Sequence, residues 1–556
     1  MKLDDLSQNL PIRIGTIQII AFILLAALGG RLYYLQITRG KELEDKAMTQ
    51  RIRVVPIPAP RGAIFDRHGR LLVDSRSTYN IVLSHEPIKD INPAERLEEY
   101  INGLGLDREY LLERLNIIKK RPEFETMVIK ENVSQDDIVW VESHQIEYPE
   151  LRVELQPQRN YPLGSTLAHV LGYVGEVSPK QLEKPEFQEK GFRPGDIIGK
   201  GGLEQYYDDV LRGRQGYRKV LVDSRGKVQE ELEKVEPQAG QDLITTIDLD
   251  LQIAAEDSLA KSSTKRGMII AMDPNNGEVL AMASAPTFDP NVFVKESTTP
   301  EGRKKIAAYW QNEERPLLNR AIQGRYPPGS TWKIPISASG FQQGIITEQD
   351  NAVACNGGIT IAGKFTRCMG SHGTPPLKYA ITKSCDGYYY RLAIKMGIDG
   401  LTNMAETFGY DKPSGVDLPN EKTPQTPKTF RAYKEKVYGK WIDIESVYAG
   451  IGQVTVNVTP ISMLLAVASI AADGKMFVPH FLKEFKAIGA VGQPSDATYR
   501  EAKDSFGFQR PEAKIIPLTH GQHDIIVQGM IGSVNGGTSK KGAIGGFQIA
   551  GKTGTA

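Results

Sequence analysis

Residues Ile14 to Gly30 form an uncharged run, apolar except for Thr16 and Gln18, and Leu32, Tyr33, Tyr34 and Leu35 carry it past Arg31. A stretch of this length and composition can cross a bilayer only as one α-helix, because lipid offers its backbone no hydrogen-bond partners. With Arg31 snorkelling and the tyrosines at the interface, residues 14–36 read as a transmembrane anchor and 1–13 as a cytoplasmic tail. A cleaved signal peptide is the alternative, since Ala26-Ala27-Leu28-Gly29 is small enough to cut; the pattern's continuation towards Ile37 favours an uncleaved anchor. Charge does not orient the span: Lys2 and Arg13 precede it, and Arg31, Arg39 and Lys41 follow. A long following domain translocates largely regardless of that bias. No later segment resembles a span, so the expectation is a single-pass protein.

At 556 residues the chain has room for two or three domains, and 40% hydrophobic residues with a net charge of +1 point neither to nucleic acid nor to disorder. Arg51-Ile52-Arg53-Val54 alternates as a strand does, and another strand is expected around Tyr79 to Ser84. Residues 93–120 show helical spacing broken at Gly103-Leu104-Gly105. Glu230 to Asp242 reads as a charged linker, Asp250 to Ala260 as a helix, and Met268 to Ala283 as a hairpin around Asp273-Pro274-Asn275-Asn276-Gly277. Residues 420–440 and 487–512 are polar and Lys-rich, and read as surface loops. The mixture predicts an α+β chain: a first domain over 45–235 and a second over 243–556.

Three short motifs follow one another: Ser330-Thr331-Trp332-Lys333, Ser384-Cys385-Asp386 and Lys552-Thr553-Gly554. Together they supply a serine nucleophile, an amine base, a polar proton shuttle and a substrate-holding strand, the parts of a serine acyltransferase. Pro327-Pro328-Gly329 forces a turn before Ser330, and Trp332, Ile334 and Ile336 continue as a helix. Positions i and i+3 share a helix face, so Lys333 is expected to reach the Ser330 hydroxyl. The Ser330 N–H at the positive end of the helix dipole suits a developing oxyanion.

Singly, these motifs carry little. Ser-x-x-Lys recurs at Ser224, Ser258 and Ser262, and Ser-x-Asp/Asn at Ser134-Gln135-Asp136 and Ser533-Val534-Asn535; Lys-Thr/Ser-Gly occurs once. The bland reading of Ser330 and Lys333 is a capping serine and a solvated lysine, and the ordered trio outweighs it. Gly546 to Thr553 also matches a phosphate-binding loop. That loop must open a helix, whereas Phe547-Gln548-Ile549-Ala550 reads as a strand and Gly554-Thr555-Ala556 starts a helix poorly.

All three cysteines, Cys355, Cys368 and Cys385, lie close together with His372 among them, spaced Cys-x12-Cys-x3-His-x12-Cys. That is a complete ligand set for a tetrahedral structural zinc, which would tie the Asn356–Thr374 loop to the Ser384 motif. A Cys355–Cys368 disulfide in an oxidising compartment, and simple burial of free thiols, are the other readings.

Over essentially its whole length the chain resembles the class B penicillin-binding proteins. Beside the trio, the residues carrying the likeness are Arg61-Gly62-Ala63-Ile64-Phe65-Asp66-Arg67, Arg159-Asn160-Tyr161-Pro162, Ala168-His169-Val170-Leu171-Gly172-Tyr173-Val174-Gly175 and Gly199-Lys200-Gly201-Gly202-Leu203-Glu204. The resemblance implies an elongated, dimerisation-like pedestal and a β-lactamase-like transpeptidase domain of helices around an antiparallel sheet. Nothing resembles the glycosyltransferase domain of class A members. Asp386 and the run Gly387-Tyr388-Tyr389-Tyr390 resemble the elongation, rod-shape type, with the division type as the alternative. The family's pattern runs on past Lys-Thr-Gly with a strand and a closing helix, so the end at Ala556 is read as an incomplete C-terminus.

The resemblance further implies a peptidoglycan D,D-transpeptidase of the inner membrane, its catalytic domain outside. Ser330 would attack the D-Ala-D-Ala carbonyl of a stem peptide, with Lys333 as base, Ser384 as proton relay and Asp386 and Lys552 beside them. Thr553, Gly554 and Thr555 would hold the substrate, and the N–H groups of Ser330 and Thr555 would form the oxyanion hole. Water as acceptor would give carboxypeptidase activity, and a β-lactam would trap Ser330. No cofactor is needed for the acyl transfer. Asp386 would raise the Lys333 pKa, with Lys552 offsetting it. The partners implied are a polytopic glycosyltransferase of the shape, elongation, division and sporulation (SEDS) family and a rod-shape scaffold, with no nucleic acid. A β-lactam sensor or an inert scaffold is the non-enzymatic reading.

Overall fold

The computed structural model describes residues 10–41, 43, 52–84, 93–118, 126–222, 228–349, 353–361, 363–437, 439–486, 500–501 and 512–555. Helix α1 (Leu10–Tyr33) runs on into a π-helical turn at Tyr34–Thr38. The stretch Ile14–Thr38 is long and apolar enough to cross a membrane, and none of it is buried in the protein.

The pedestal is built on β1 (Ile52–Ile57), β2 (Ile64–Phe65), β3 (Leu71–Ser84), β4 (Thr126–Lys130) and β5 (Leu151–Asn160), with helices α2 (Pro93–Leu104) and α3 (Arg108–Ile118) packed beside them. The 14-residue β3 does two jobs. Its start pairs with β2 (Ile64↔Val73), and its far half is flanked by β4 (Ser84↔Thr126) and β5 (Leu83↔Leu151), all antiparallel. Strands β6 (Gly216–Val222) and β7 (Val228–Val235) join β1 in a separate sheet ordered β1-β6-β7. The first half of the linker expected over 230–242 is therefore a strand, ending at Val235: Tyr217↔Val235 and Lys219↔Glu233 are cross-strand pairs. Glu233 faces Lys219 across the ladder, and Glu231 and Glu230 face Val220 and Leu221, a pairing that the charge density alone does not reveal.

Strand β8 (Asp242–Thr245) pairs parallel with β2 (Leu243↔Ile64), followed by helix α4 (Leu249–Lys261) and the antiparallel hairpin β9 (Gly267–Met272)/β10 (Val279–Ala285). Beyond them lie α5 (Lys333–Gln342), α6 (Leu377–Thr382), α7 (Asp386–Thr407, broken at Gly397), α8 (Pro427–Val437), α9 (Pro460–Ala471), β11 (Leu482–Lys486) and α10 (His520–Gly536). β11 pairs with β8, so one sheet carries strands from both ends of the chain and fixes the pedestal to the catalytic half. The loop expected over 420–440 contains α8, opened by Pro427; of 487–512, only Arg500–Glu501 and Glu512 fall within the described residues.

Under this joint lies a buried ionic knot. Glu204, fully buried, accepts from Arg61 at 2.7 Å and from Arg159 at 2.5 Å, and Arg61 also reaches Asp208 at 2.8 Å. Burial works against the charged form of Glu204, yet the two guanidiniums hold its carboxyl below the usual range. Three of the pedestal motifs thus meet at one carboxylate.

Candidate active site

Helix α5 is buried along nearly its whole length, Lys333 to Phe341, so it is a core helix rather than a surface one. Ser330 sits just before it on a 3-10 turn, Gly329–Trp332. Gly329 is required there twice over: its φ is +55°, and a Cβ would stand 2.3 Å from the Thr555 carbonyl oxygen. The Thr555 amide nitrogen lies 3.0 Å from the same point, which brings the backbone of Thr555 against the Ser330 turn.

Ser384 is placed by the end of α6. The Cys385 N–H bonds to Ala380 O at 2.9 Å and the Ser384 N–H to Ile381 O at 3.1 Å, the paired bonds of a Schellman termination. The left-handed residue of that motif is usually glycine; here it is Ser384 at φ +53°, a conformation that costs a residue with a Cβ. Asp386 then opens α7, where a carboxylate suits the helix dipole.

Lys333 Nζ donates to Ser384 O at 2.8 Å, to Ser384 Oγ at 3.1 Å and to Asp386 Oδ1 at 2.5 Å. Lys552 Nζ donates to Ser384 Oγ at 3.0 Å and to Thr553 O at 3.0 Å. The Ser384 hydroxyl therefore lies between two amines. Among the described residues no hydrogen bond joins Lys333 to Ser330 Oγ, contrary to expectation: the three N–H groups of Lys333 are drawn to α7 and the turn before it. Burial pushes the Lys333 amine below the usual lysine range, although Asp386 acts to raise it. The expected rise beside Asp386 is thus outweighed by desolvation. Burial, with Lys333 as a neighbouring cation, brings Lys552 down to about 8.

Two expectations about the third motif are corrected. Neither Phe547–Ala550 nor Lys552-Thr553-Gly554 forms a strand. No strand pairs with them among the described residues; the backbone instead bonds to helix and turn, Gly551 N–H to Met530 O at 3.2 Å and Thr553 N–H to Ser539 Oγ at 3.2 Å. Thr553 Oγ1 also meets Thr538 Oγ1 at 3.2 Å. Thr553, Gly554 and Thr555 remain exposed beside Ser330, with Gly554 against Pro328 O.

Sequence reasoning missed two groups. The Tyr389 ring lies 5.4 Å from Lys333 Nζ, in cation–π range, and its hydroxyl meets Ser337 Oγ at 2.7 Å. Their spacing was the available signal: Tyr389 is three residues after Asp386, and Ser337 four after Lys333.

The sulfurs of Cys355, Cys368 and Cys385 and a ring nitrogen of His372 all lie within 4.8 Å of one another. The cysteines are free, so the expected alternative of a Cys355–Cys368 disulfide is not formed. Cys355 Sγ and Cys368 Sγ stand 3.5 and 3.7 Å from His372 Nδ1, and Cys368 Sγ 3.9 Å from Cys385 Sγ. Zinc bond lengths of about 2.3 Å to sulfur and 2.0–2.1 Å to nitrogen give tetrahedral edges of about 3.5–3.8 Å. The donor set and its spacing therefore fit that ion, whereas a disulfide needs about 2.05 Å.

Residues 267–556 match the family described as penicillin binding protein transpeptidase domain, and residues 56–245 the penicillin-binding protein dimerisation domain. The chain belongs to the penicillin-binding protein transpeptidase family. Among its relatives, the peptidoglycan D,D-transpeptidase MrdA of Acinetobacter baumannii is 33% identical over 97% of this chain and 77% of the relative. MrdA of Escherichia coli K12 is 32% identical over 96% and 82%. The fold is also that of PBP2 from Helicobacter pylori, solved in complex with MreC: TM-score 0.70, 26% identity, covering 91% of this chain and 89% of that one. A peptidoglycan synthase complex, described for its coordination of polymerization and crosslinking, gives a TM-score of 0.65 at 28% identity over 98% and 88%.

Proposed function

We propose that this chain is the peptidoglycan D,D-transpeptidase of wall elongation and cell-shape maintenance, working through an acyl-enzyme on Ser330. The observation that carries the reading is the Ser384 hydroxyl held between the amines of Lys333 and Lys552, beside the turn that presents Ser330.

Ser330 Oγ attacks the carbonyl between the two terminal D-alanines of a stem peptide. Lys333, its amine favoured in the neutral form by burial, takes the hydroxyl proton once it swings from Ser384. The N–H groups of Ser330 and Thr555 stabilise the oxyanion, and Lys552 with Thr553 and Thr555 holds the terminal carboxylate. As the tetrahedral intermediate collapses, the C–N bond breaks and Ser384 relays a proton to the leaving D-Ala amine. An amine of a second stem peptide then attacks the ester, releasing Ser330 and forming the cross-link; water in its place makes the reaction a carboxypeptidase. A β-lactam acylates Ser330 by the same first step.

Cys355, Cys368, His372 and Cys385 would hold a structural zinc, whose chemistry is to clamp the 355–372 loop onto Cys385. Cys385 lies between Ser384 and Asp386, so such a clamp would steady the relay without entering the acyl transfer. Helix α1 anchors the chain in the inner membrane with the pedestal and catalytic domain outside, where a SEDS-family glycosyltransferase and a rod-shape scaffold are its partners.

The test is incubation of the membrane-reconstituted chain with glycan strands bearing pentapeptide stems. The reading predicts D-Ala release and cross-linked dimers, both lost in Ser330→Ala. A chain that forms a penicillin adduct but releases no D-Ala would be a sensor or scaffold instead.

A further inference from the structure

Among the described residues that hold a positive φ without being glycine, Val454 (φ +57°) alone is β-branched. Left-handed backbone is least tolerated by such side chains. The Thr455 N–H closes back to Gln453 O at 2.6 Å, so Val454 is the centre of a three-residue turn of the rare positive-φ kind. The turn has a further cost: Thr455 is fully buried, and its hydroxyl has no partner. Val454 itself is 57% exposed, so burial of its side chain returns little of this cost.

The turn's position is specific. On one side Gly329 N–H bonds to Gly452 O at 3.0 Å, and a Cβ on Gly452 would stand 2.6 Å from Gly329 O and from Trp332 Cβ. On the other side Val458 and Tyr326 exchange backbone bonds, both at 2.9 Å. The segment leading into Ser330 is thus clamped on both flanks of Val454, and this exposed, strained apolar residue stands between the clamps. Strain of this kind persists where a site uses it.

We propose that Val454 is a specificity-determining residue, the apolar wall that contacts the part of the acyl donor N-terminal to its D-Ala-D-Ala end. This rests on the transpeptidase reading above. Benzylpenicillin carries an apolar acyl side chain in the corresponding place, and 6-aminopenicillanic acid carries none. The experiment measures second-order acylation of Ser330 by both compounds in the full-length chain, in wild type, Val454→Gly and Val454→Asn, glycine and asparagine being residues that accept this backbone. The expected result is a fall of about tenfold in the benzylpenicillin to 6-aminopenicillanic acid rate ratio, equivalent to ~1.4 kcal/mol. Val454→Gly should also raise Tm by about 2–4 °C as strain is released. A ratio unchanged within about twofold in the variant that folds, even with a raised Tm, overturns the proposal and leaves the transpeptidase reading standing. Failure of wild type to be acylated at Ser330 by either compound overturns that reading and the proposal with it.

Discussion

Asp386→Asn isolates the electrostatics of Lys333, the proposed base. It keeps an oxygen acceptor at the position 2.5 Å from Lys333 Nζ and removes the charge. Burial lowers the Lys333 pKa and Asp386 opposes that lowering, so loss of the carboxylate lowers it further. Coulomb's law at this separation with an effective dielectric of about 20 gives ~6–7 kcal/mol, an upper bound. The Asp386 side chain is 19% exposed, so solvent takes a large part of that. A neighbouring opposite charge shifts a pKa by about 1–3 units in practice, or ~1.4–4 kcal/mol. Lys333 accepts a proton only when neutral, so a lower pKa extends its working range to more acidic solution. The acidic limb of the pH profile for Ser330 acylation should therefore move down by about 1–3 units. The assay is the second-order rate with a fluorescent penicillin across pH 5–9 in both proteins. A limb that stays in place, or moves up, would refute Lys333 as the titrating base.

Three further outcomes are expected. Lys552, held down to about 8 by burial and by Lys333, loses its charge as pH rises through that value, so KM for a D-Ala-D-Ala peptide should climb above about pH 8; Lys552→Arg, whose charge persists, should flatten the climb. Glu204→Gln leaves Arg159 buried without a carboxylate and Arg61 with Asp208 alone, and should cost about 3–5 kcal/mol, read as a Tm lowered by roughly 10 °C, and a Tm unchanged would show the knot to be neutral. Metal analysis of the purified chain should find one zinc per chain, lost in Cys385→Ala together with a Tm drop of roughly 5–10 °C; a metal-free wild type of equal stability would reject the site.

Periodicity and turn chemistry are legible in the sequence where they act locally. The hairpin around Asp273–Gly277, the helix over Asp250–Ala260 and the turn at Pro327–Gly329 all stand where the residues place them. What failed depends on distant partners. Strand β7 is charged enough to pass for a linker, and only its ladder with β6 makes it a strand. The Lys552 segment has the composition of a strand, but no neighbouring strand pairs with it among the described residues, and helix α10 and Ser539 take its bonds. The hydrogen bonding of Lys333 was likewise out of reach. Spacing says that it shares a face with Ser330, but not that α7 brings Asp386 and Tyr389 to the same amine. The cysteine cluster was the reverse case: four ligand-type residues in a short span gave the set, and the structure supplied the distances that leave the disulfide unformed.

The central claim is that Ser330 is the acylated nucleophile of this family site. Intact-mass analysis after exposure to benzylpenicillin tests it most directly, with Ser330→Ala alongside. The account predicts one covalent adduct on wild type, mapped to the peptide carrying Ser330, and none on the variant. An adduct that persists in Ser330→Ala, or no adduct on a folded wild type, would contradict it.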